Sequence, residues 1–191
     1  IRAFGAELVA EGDRSDAALR AKQDGESFFF SHVYHPAFRG GTMQSGLEVL
    51  QHPDSKEATR WIVPVGNGSL LLGLLAALRV HNRTDIEVIA VQASVCAGLL
   101  RPGQSSPSRA TGIAIADPPR RNEMLRELEA QGGHIQEATE DELLAAEQRL
   151  AQIGILAEPA SAACEVVVQR LADAGGKRPS VAWLTGSGDR V

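Results

Sequence analysis

One stretch, residues 61–79, constrains what this chain can fold into more than any other. It opens on an apolar, β-prone run at 61–65, of the length a buried parallel strand needs. It passes through Gly66-Asn67-Gly68-Ser69 and enters an Ala/Leu-rich helical run at 70–79, where Gly73 is the one weak helix former. Strand, small-residue loop and helix together set backbone N–H groups at the positive end of a helix dipole, where an anion, most often a phosphate, is the natural occupant. Gly66 and Gly68 let the backbone come close to such an anion, and Ser69 can add a hydroxyl or cap the helix. The same residues also suit a plain tight turn. No Lys-Ser/Thr pair follows, so this is no Walker loop, and the third glycine of the dinucleotide fingerprint is missing at its spacing. A phosphate carried by another cofactor fits better.

The flanking sequence alternates between strand and helix patterns. Short strands are expected at 6–10 and 27–31, with a helix between them that Ser15-Asp16 caps and Asp24-Gly25 ends. Residues 32–41, with Pro36 and Gly40-Gly41, read as irregular, and Thr42 as the N-cap of a helix to Leu50. After the central helix come a buried strand at 86–92 and a long loop at 94–110, expected to be mobile. A small-residue segment at 111–119 could line a cavity. An amphipathic helix at 121–131, a strand at 134–138 and a helix to Gln152 opened by the capping box Thr139-Glu140-Asp141-Glu142 follow. Another helix runs from about Ala157 to Ala174, and the last strand covers 180–184. The pattern predicts an α/β fold with a parallel sheet and helices on both faces. Ligands in such sheets bind at the carboxyl ends of the strands, where the loops 66–69, 111–119 and 185–188 gather.

Composition narrows the function. A net charge of −5, with basic residues scattered, argues against a nucleic-acid surface. With 43% hydrophobic residues the chain can bury a sizeable core, and it lacks a membrane-length apolar run, so a cytoplasmic protein is expected. Cys96 and Cys164 read as buried free thiols, and no metal-ligand spacing is present. The five histidines show no paired spacing; His35 could approach a ligand from its loop or simply be exposed there. The chain starts at Ile1 and ends just after a strand, which leads us to expect an incomplete chain.

Five segments, in order, resemble fold-type II pyridoxal-phosphate enzymes, threonine synthase and its relatives above all. Gly66-Asn67-Gly68-Ser69-Leu70 looks like that family's phosphate loop, and His32-Val33-Tyr34-His35-Pro36 with Gly41-Thr42 and Glu48 is similar to the segment before it. Thr111 to Pro119 resembles the Gly-Ile-Ala-Ile-x-x-Pro stretch of threonine synthases. Glu158-Pro159-Ala160-Ser161-Ala162 resembles the family's Glu-Pro-x-Ser/Thr-Ala helix start, and Leu184-Thr185-Gly186-Ser187-Gly188 its loop facing the pyridine nitrogen. The resemblance implies a tryptophan synthase β-like architecture, with residues 1–45 the remainder of a smaller domain and crossover, and 46–191 the larger cofactor domain. It implies pyridoxal 5'-phosphate held by Gly66, Asn67, Gly68, Ser69, Leu70, Glu158 and Thr185, and a homodimer acting on an amino acid. Gly68→Asp would then expel the cofactor by setting a carboxylate against the phosphate.

The chemistry agrees with the resemblance. A neutral hydroxyl such as Thr185 does not hold the pyridine nitrogen protonated, which suits β- or γ-elimination and replacement. Without the resemblance, Thr185 is a turn residue and Glu158 a carboxylate at a helix N-terminus. One departure is large. The family attaches its cofactor through a Schiff-base lysine upstream of this region, and Lys22, Lys56 and Lys177, the only lysines here, lie in surface-type settings. No catalytic residue is therefore assigned, and the fragment alone is expected to be inactive. The resemblance implies conversion of O-phosphohomoserine to threonine. A serine/threonine dehydratase or diaminopropionate-type ammonia-lyase is the alternative, and a non-catalytic binding remnant is the alternative of another class.

Overall fold

The computed structural model describes residues 2–10, 12 and 14–188. They fall into two compact units, residues 1–35 and 36–191. In the first, a helix α1 (Arg14–Gln23) is preceded by a short 3-10 turn at Arg2–Phe4. The strands expected at 6–10 and 27–31 are not formed; both segments are coil. Phe28 and Phe30 instead pack their rings around His35, at 5.6 and 4.5 Å between centroids, and stay largely exposed. A strand needs a neighbour to accept its ladder, and among the described residues none pairs with either segment.

The second unit begins with α2 (Pro36–Gln51), which starts earlier than expected. Pro36 stands at the first helical position, where its fixed φ is favourable and its missing N–H costs nothing. Thr42 is consequently inside the helix and not its N-cap. Its hydroxyl reaches the Phe38 carbonyl at 3.0 Å and the Ser69 carbonyl at 2.9 Å. Then come β1 (Arg60–Pro64), α3 (Ser69–Val80), β2 (Glu87–Ala93), α4 (Arg121–Ala130) and β3 (His134–Ala138). The chain closes with α5 (Glu140–Gln152), α6 (Pro159–Asp173) and β4 (Ser180–Ala182).

The four strands form one parallel sheet in the order β3-β2-β1-β4. Every residue of β1 is buried, as a central parallel strand requires. Alternation sorts the side chains by face. Trp61, Val63, Val88 and Ala90 join Leu71, Leu74, Leu78, Met124 and Leu128 under α3 and α4. Ile62, Ile89 and Val91 join Leu143, Ala146, Cys164 and Val167 under α5 and α6. Helices thus cover both faces. No helix among the described residues is long and apolar enough to cross a membrane.

The loop at 94–110 is less free than expected. Its first half makes a 3-10 turn at Ser94–Cys96, and Cys96, Ala97 and Leu99 are buried. Ala97 bridges to Ile115. Only about 102–109 is mainly exposed.

Candidate functional site

β1 leads to α3 through four residues that leave a row of amides without acceptors. The Val65 amide still donates to the Val91 carbonyl at 2.9 Å, so the sheet ladder runs to the edge of the loop. The first helical bond of α3 is the Leu72 amide on the Gly68 carbonyl, also 2.9 Å. Between them, the amides of Gly66, Asn67, Gly68 and Leu70 meet no protein acceptor among the described residues. Gly66 and Gly68 are buried, and a buried amide left unpaired costs about 1–3 kcal/mol. An anion with several acceptor oxygens relieves that cost, and the positive end of the 12-residue α3 dipole favours it. The residues fit a phosphate group.

The loop is clamped from three sides. A Cβ at Gly66 would stand 2.6 Å from the Gly112 carbonyl oxygen, so the 111–119 segment lies directly against it. Gly68 has φ +86°, and a Cβ there would run into the Met124 side chain on α4. Gln92, fully buried at the end of β2, donates from Nε2 to the Val65 carbonyl at 3.2 Å and accepts the Leu99 amide at 3.0 Å. Neither Met124 nor Gln92 was expected at the site. Gln92 carried a signal in a polar amide ending an otherwise apolar strand; Met124 looked like any apolar position on an amphipathic helix.

β4 lies beside β1 with Ile62 opposite Ala182, and the Trp183 amide donates to the Ile62 carbonyl at 3.0 Å. The loops after these two strands therefore leave neighbouring positions on the same sheet edge. From β1 the chain winds to β2 on one side and meets β4 on the other, the switch point where open α/β sheets form a crevice. The 185–188 loop is tied to the start of α6. The Thr185 and Gly186 amides donate to Ser161 Oγ at 3.0 and 2.8 Å, and the Thr185 hydroxyl is 3.2 Å from it. The Gly186 carbonyl accepts the Glu158 amide at 3.1 Å. Glu158 is the N-cap of α6, makes no side-chain cap bond, and its carboxylate crowds the space a Cβ on Gly186 would need. Gly112 completes the series, 3.2 Å in the same sense from the Ala160 Cβ. Contacts thus run from Gly66 through Gly112 and Ala160 to Ser161 and Thr185. Asp189, which follows Gly188 of that loop, lies outside the described residues.

Lys22, Lys56 and Lys177 are all exposed, on α1, in the turn before β1 and in the turn before β4. None sits in the desolvated setting a nucleophilic amine needs. Cys96 and Cys164 are free and buried. Burial pushes the Cys164 thiol well above its ordinary range, and its S–H donates to the Ile62 carbonyl at 3.4 Å. It is a core residue, with no exposed thiolate to react.

Known proteins are similar to this chain in sequence and in fold. A threonine synthase of Methanosarcina acetivorans is 26% identical over 191 residues, covering 91% of this chain and 47% of that protein. An L-threonine ammonia-lyase of Thermotoga maritima is 30% identical over 129 residues, 61% of this chain and 31% of that protein. The chain thus spans about half, or less, of the length of these relatives. Among solved structures, a threonine deaminase from T.th. superimposes with a TM-score of 0.80 at 24% identity, covering 100% of this chain and 65% of that one. Cysteine synthase of Entamoeba histolytica gives 0.81 at 18%, covering 98% and 56%. Both carry the same fold. A family model described as pyridoxal-phosphate dependent enzyme matches residues 1–186, and the chain belongs to that family.

Proposed function

We propose that this chain forms the cofactor cradle of a threonine synthase-like enzyme, converting O-phosphohomoserine to threonine. The amides of Gly66, Asn67, Gly68 and Leu70, which meet no protein acceptor among the described residues and lie on the same sheet edge as Thr185, carry the reading. In it, the amides of Gly66, Asn67, Gly68, Ser69 and Leu70 hold the cofactor phosphate. The Thr185 hydroxyl faces the pyridine nitrogen, and Glu158 lies near the ring. When bound, pyridoxal phosphate supplies an electron sink for bond breaking at the amino-acid carbon. Gln92, Met124 and Gly112 keep the amides aimed. The lysine that attaches the cofactor and moves protons lies in sequence outside these 191 residues, since all three lysines here are exposed. The protein is a cytoplasmic homodimer in this reading.

A second reading has its own support. The identity to the L-threonine ammonia-lyase is higher, over a shorter span, and it favours deamination of threonine or serine. One experiment separates the two. The intact protein, saturated with pyridoxal phosphate, is given O-phosphohomoserine, L-threonine and L-serine in parallel. The proposal expects inorganic phosphate and threonine in equal amounts from the first. Ammonia from threonine or serine without turnover of O-phosphohomoserine replaces it with the lyase. Failure to retain the cofactor at all would leave a binding remnant.

A further inference from the structure

We infer that Ser161 fixes the direction of the proton on Thr185, making Thr185 a hydrogen-bond donor to the ligand atom that faces it. A serine hydroxyl carries one proton and two lone pairs. Both lone pairs of Ser161 are taken, by the Thr185 amide at 3.0 Å and the Gly186 amide at 2.8 Å. Ser161 is fully buried inside the first turn of α6 and makes no bond to a carbonyl of its own helix. Its proton has one acceptor within reach, the Thr185 hydroxyl oxygen at 3.2 Å. Ser161 therefore donates and Thr185 accepts. The proton on Thr185 is turned away from Ser161, and Thr185 is exposed, with no other partner among the described residues.

The consequence rests on the reading that Thr185 faces the pyridine nitrogen. A committed donor pairs with an unprotonated nitrogen and is repelled by a protonated one. Ser161 touches neither cofactor nor substrate; it is a positioning residue that acts through Thr185. Its loss leaves the Thr185 hydroxyl free to turn and accept, which removes the bias against a protonated ring.

The test uses the intact holoenzyme loaded with pyridoxal phosphate labelled with nitrogen-15 in the ring, whose chemical shift reports protonation. Wild type is expected to hold the nitrogen unprotonated at neutral pH. Ser161→Ala should move the protonation midpoint upward by about one pH unit, a tenfold change in the equilibrium. Ser161→Thr, which keeps the hydroxyl, should restore it. A protonated nitrogen in wild type at neutral pH overturns the inference with no variant needed, so a misfolded alanine variant does not decide the matter. If Ser161→Ala titrates like wild type while Thr185→Val shifts the signal, the inference falls and the placement of Thr185 stands. If Thr185→Val leaves the signal unmoved as well, the placement of Thr185 falls and takes the inference with it.

Discussion

Gly68 lies directly against Met124: with φ at +86°, the only direction a Cβ could take is into the Met124 thioether. Two penalties coincide there, a left-handed backbone and an overlap with a fully buried side chain. Gly68→Ala should therefore cost about 2–3 kcal/mol of stability with no cofactor present. Chemical denaturation of the cofactor-free protein measures this. An unchanged midpoint would mean that α4 yields easily under the loop. The same crowding disqualifies Gly68→Asp as a test of the phosphate, because the fold would suffer before the charge could act.

Asn67 offers the cleaner test. It is half-buried and its side chain bonds to no described residue, so Asn67→Asp changes charge at nearly constant shape. A carboxylate about 4 Å from a phosphate dianion meets repulsion of about 4 kcal/mol per unit charge at an effective dielectric near 20. Cofactor affinity should fall at least a hundredfold while the melting temperature without cofactor stays put. Retained affinity would remove the phosphate from this loop.

Gln92 supports the same loop from beneath. Replacing it by leucine keeps the volume but strands the Val65 carbonyl and the Leu99 amide, which Gln92 serves at 3.2 and 3.0 Å. Leaving such groups unpaired costs about 1–3 kcal/mol each. Gln92→Leu should lower stability by roughly 2–4 kcal/mol and weaken cofactor binding together, and urea titration with a cofactor-binding isotherm reads both. A stable Gln92→Leu with normal binding would show that the loop holds itself.

The capping box at the start of α5 gives a pH dependence. Burial raises the Glu142 carboxyl, but bonds from Arg170 and from the Thr139 amide and hydroxyl outweigh it, so its folded pKa lies below the ordinary 4.5. A lowered folded pKa means that the stabilisation is complete above the unfolded pKa and fades as pH falls through the folded one. Glu142 is about a third exposed, so solvent screens part of its ion pair. Glu142→Ala should cost about 1 kcal/mol at pH 7, and wild type and variant should converge in melting temperature as pH falls through the lowered range of the folded carboxyl. A gap that stayed constant across the whole acid range would assign the effect to packing.

Much of this fold was legible because the signals were local. The apolar runs that became β1 and β2, the Gly-Asn-Gly-Ser loop and the Thr139–Glu142 box each carry their reason within a few residues. The failures share another cause. Phe28-Phe29-Phe30 has strand composition but no paired strand among the described residues, and pairing is a property of the neighbour. Gly40-Gly41 looked like a break, yet α2 runs through it. That helix lies close on α3, where a Cβ at Gly46 would come 2.8 Å from the Ala77 Cβ and one at Gly73 would strike Thr42. Packing thus overrides propensity, and Gly73, the weak former in α3, is the residue that lets the helices approach. At the site, the loops could be named from sequence, but Ser161 could not be distinguished from other small residues of the α6 start. Its role depends on a loop 24 residues away.

Thr185 is where the proposed chemistry is most exposed to test. Thr185→Asp places a carboxylate beside the Ser161 hydroxyl, 3.2 Å from the present oxygen, and that donor helps to keep it ionised. An ionised carboxylate facing the pyridine nitrogen holds it protonated and deepens the electron sink. Elimination or replacement should then slow. Side reactions such as transamination should take a larger share of product. Thr185→Ser should be mild, because the hydroxyl survives and only a methyl, worth about 1 kcal/mol if buried, is lost. The deciding measurement is the product ratio of the Asp variant against wild type at saturating cofactor. If rate and ratio are both unchanged, Thr185 is a turn residue and the partner of the ring nitrogen lies on another loop.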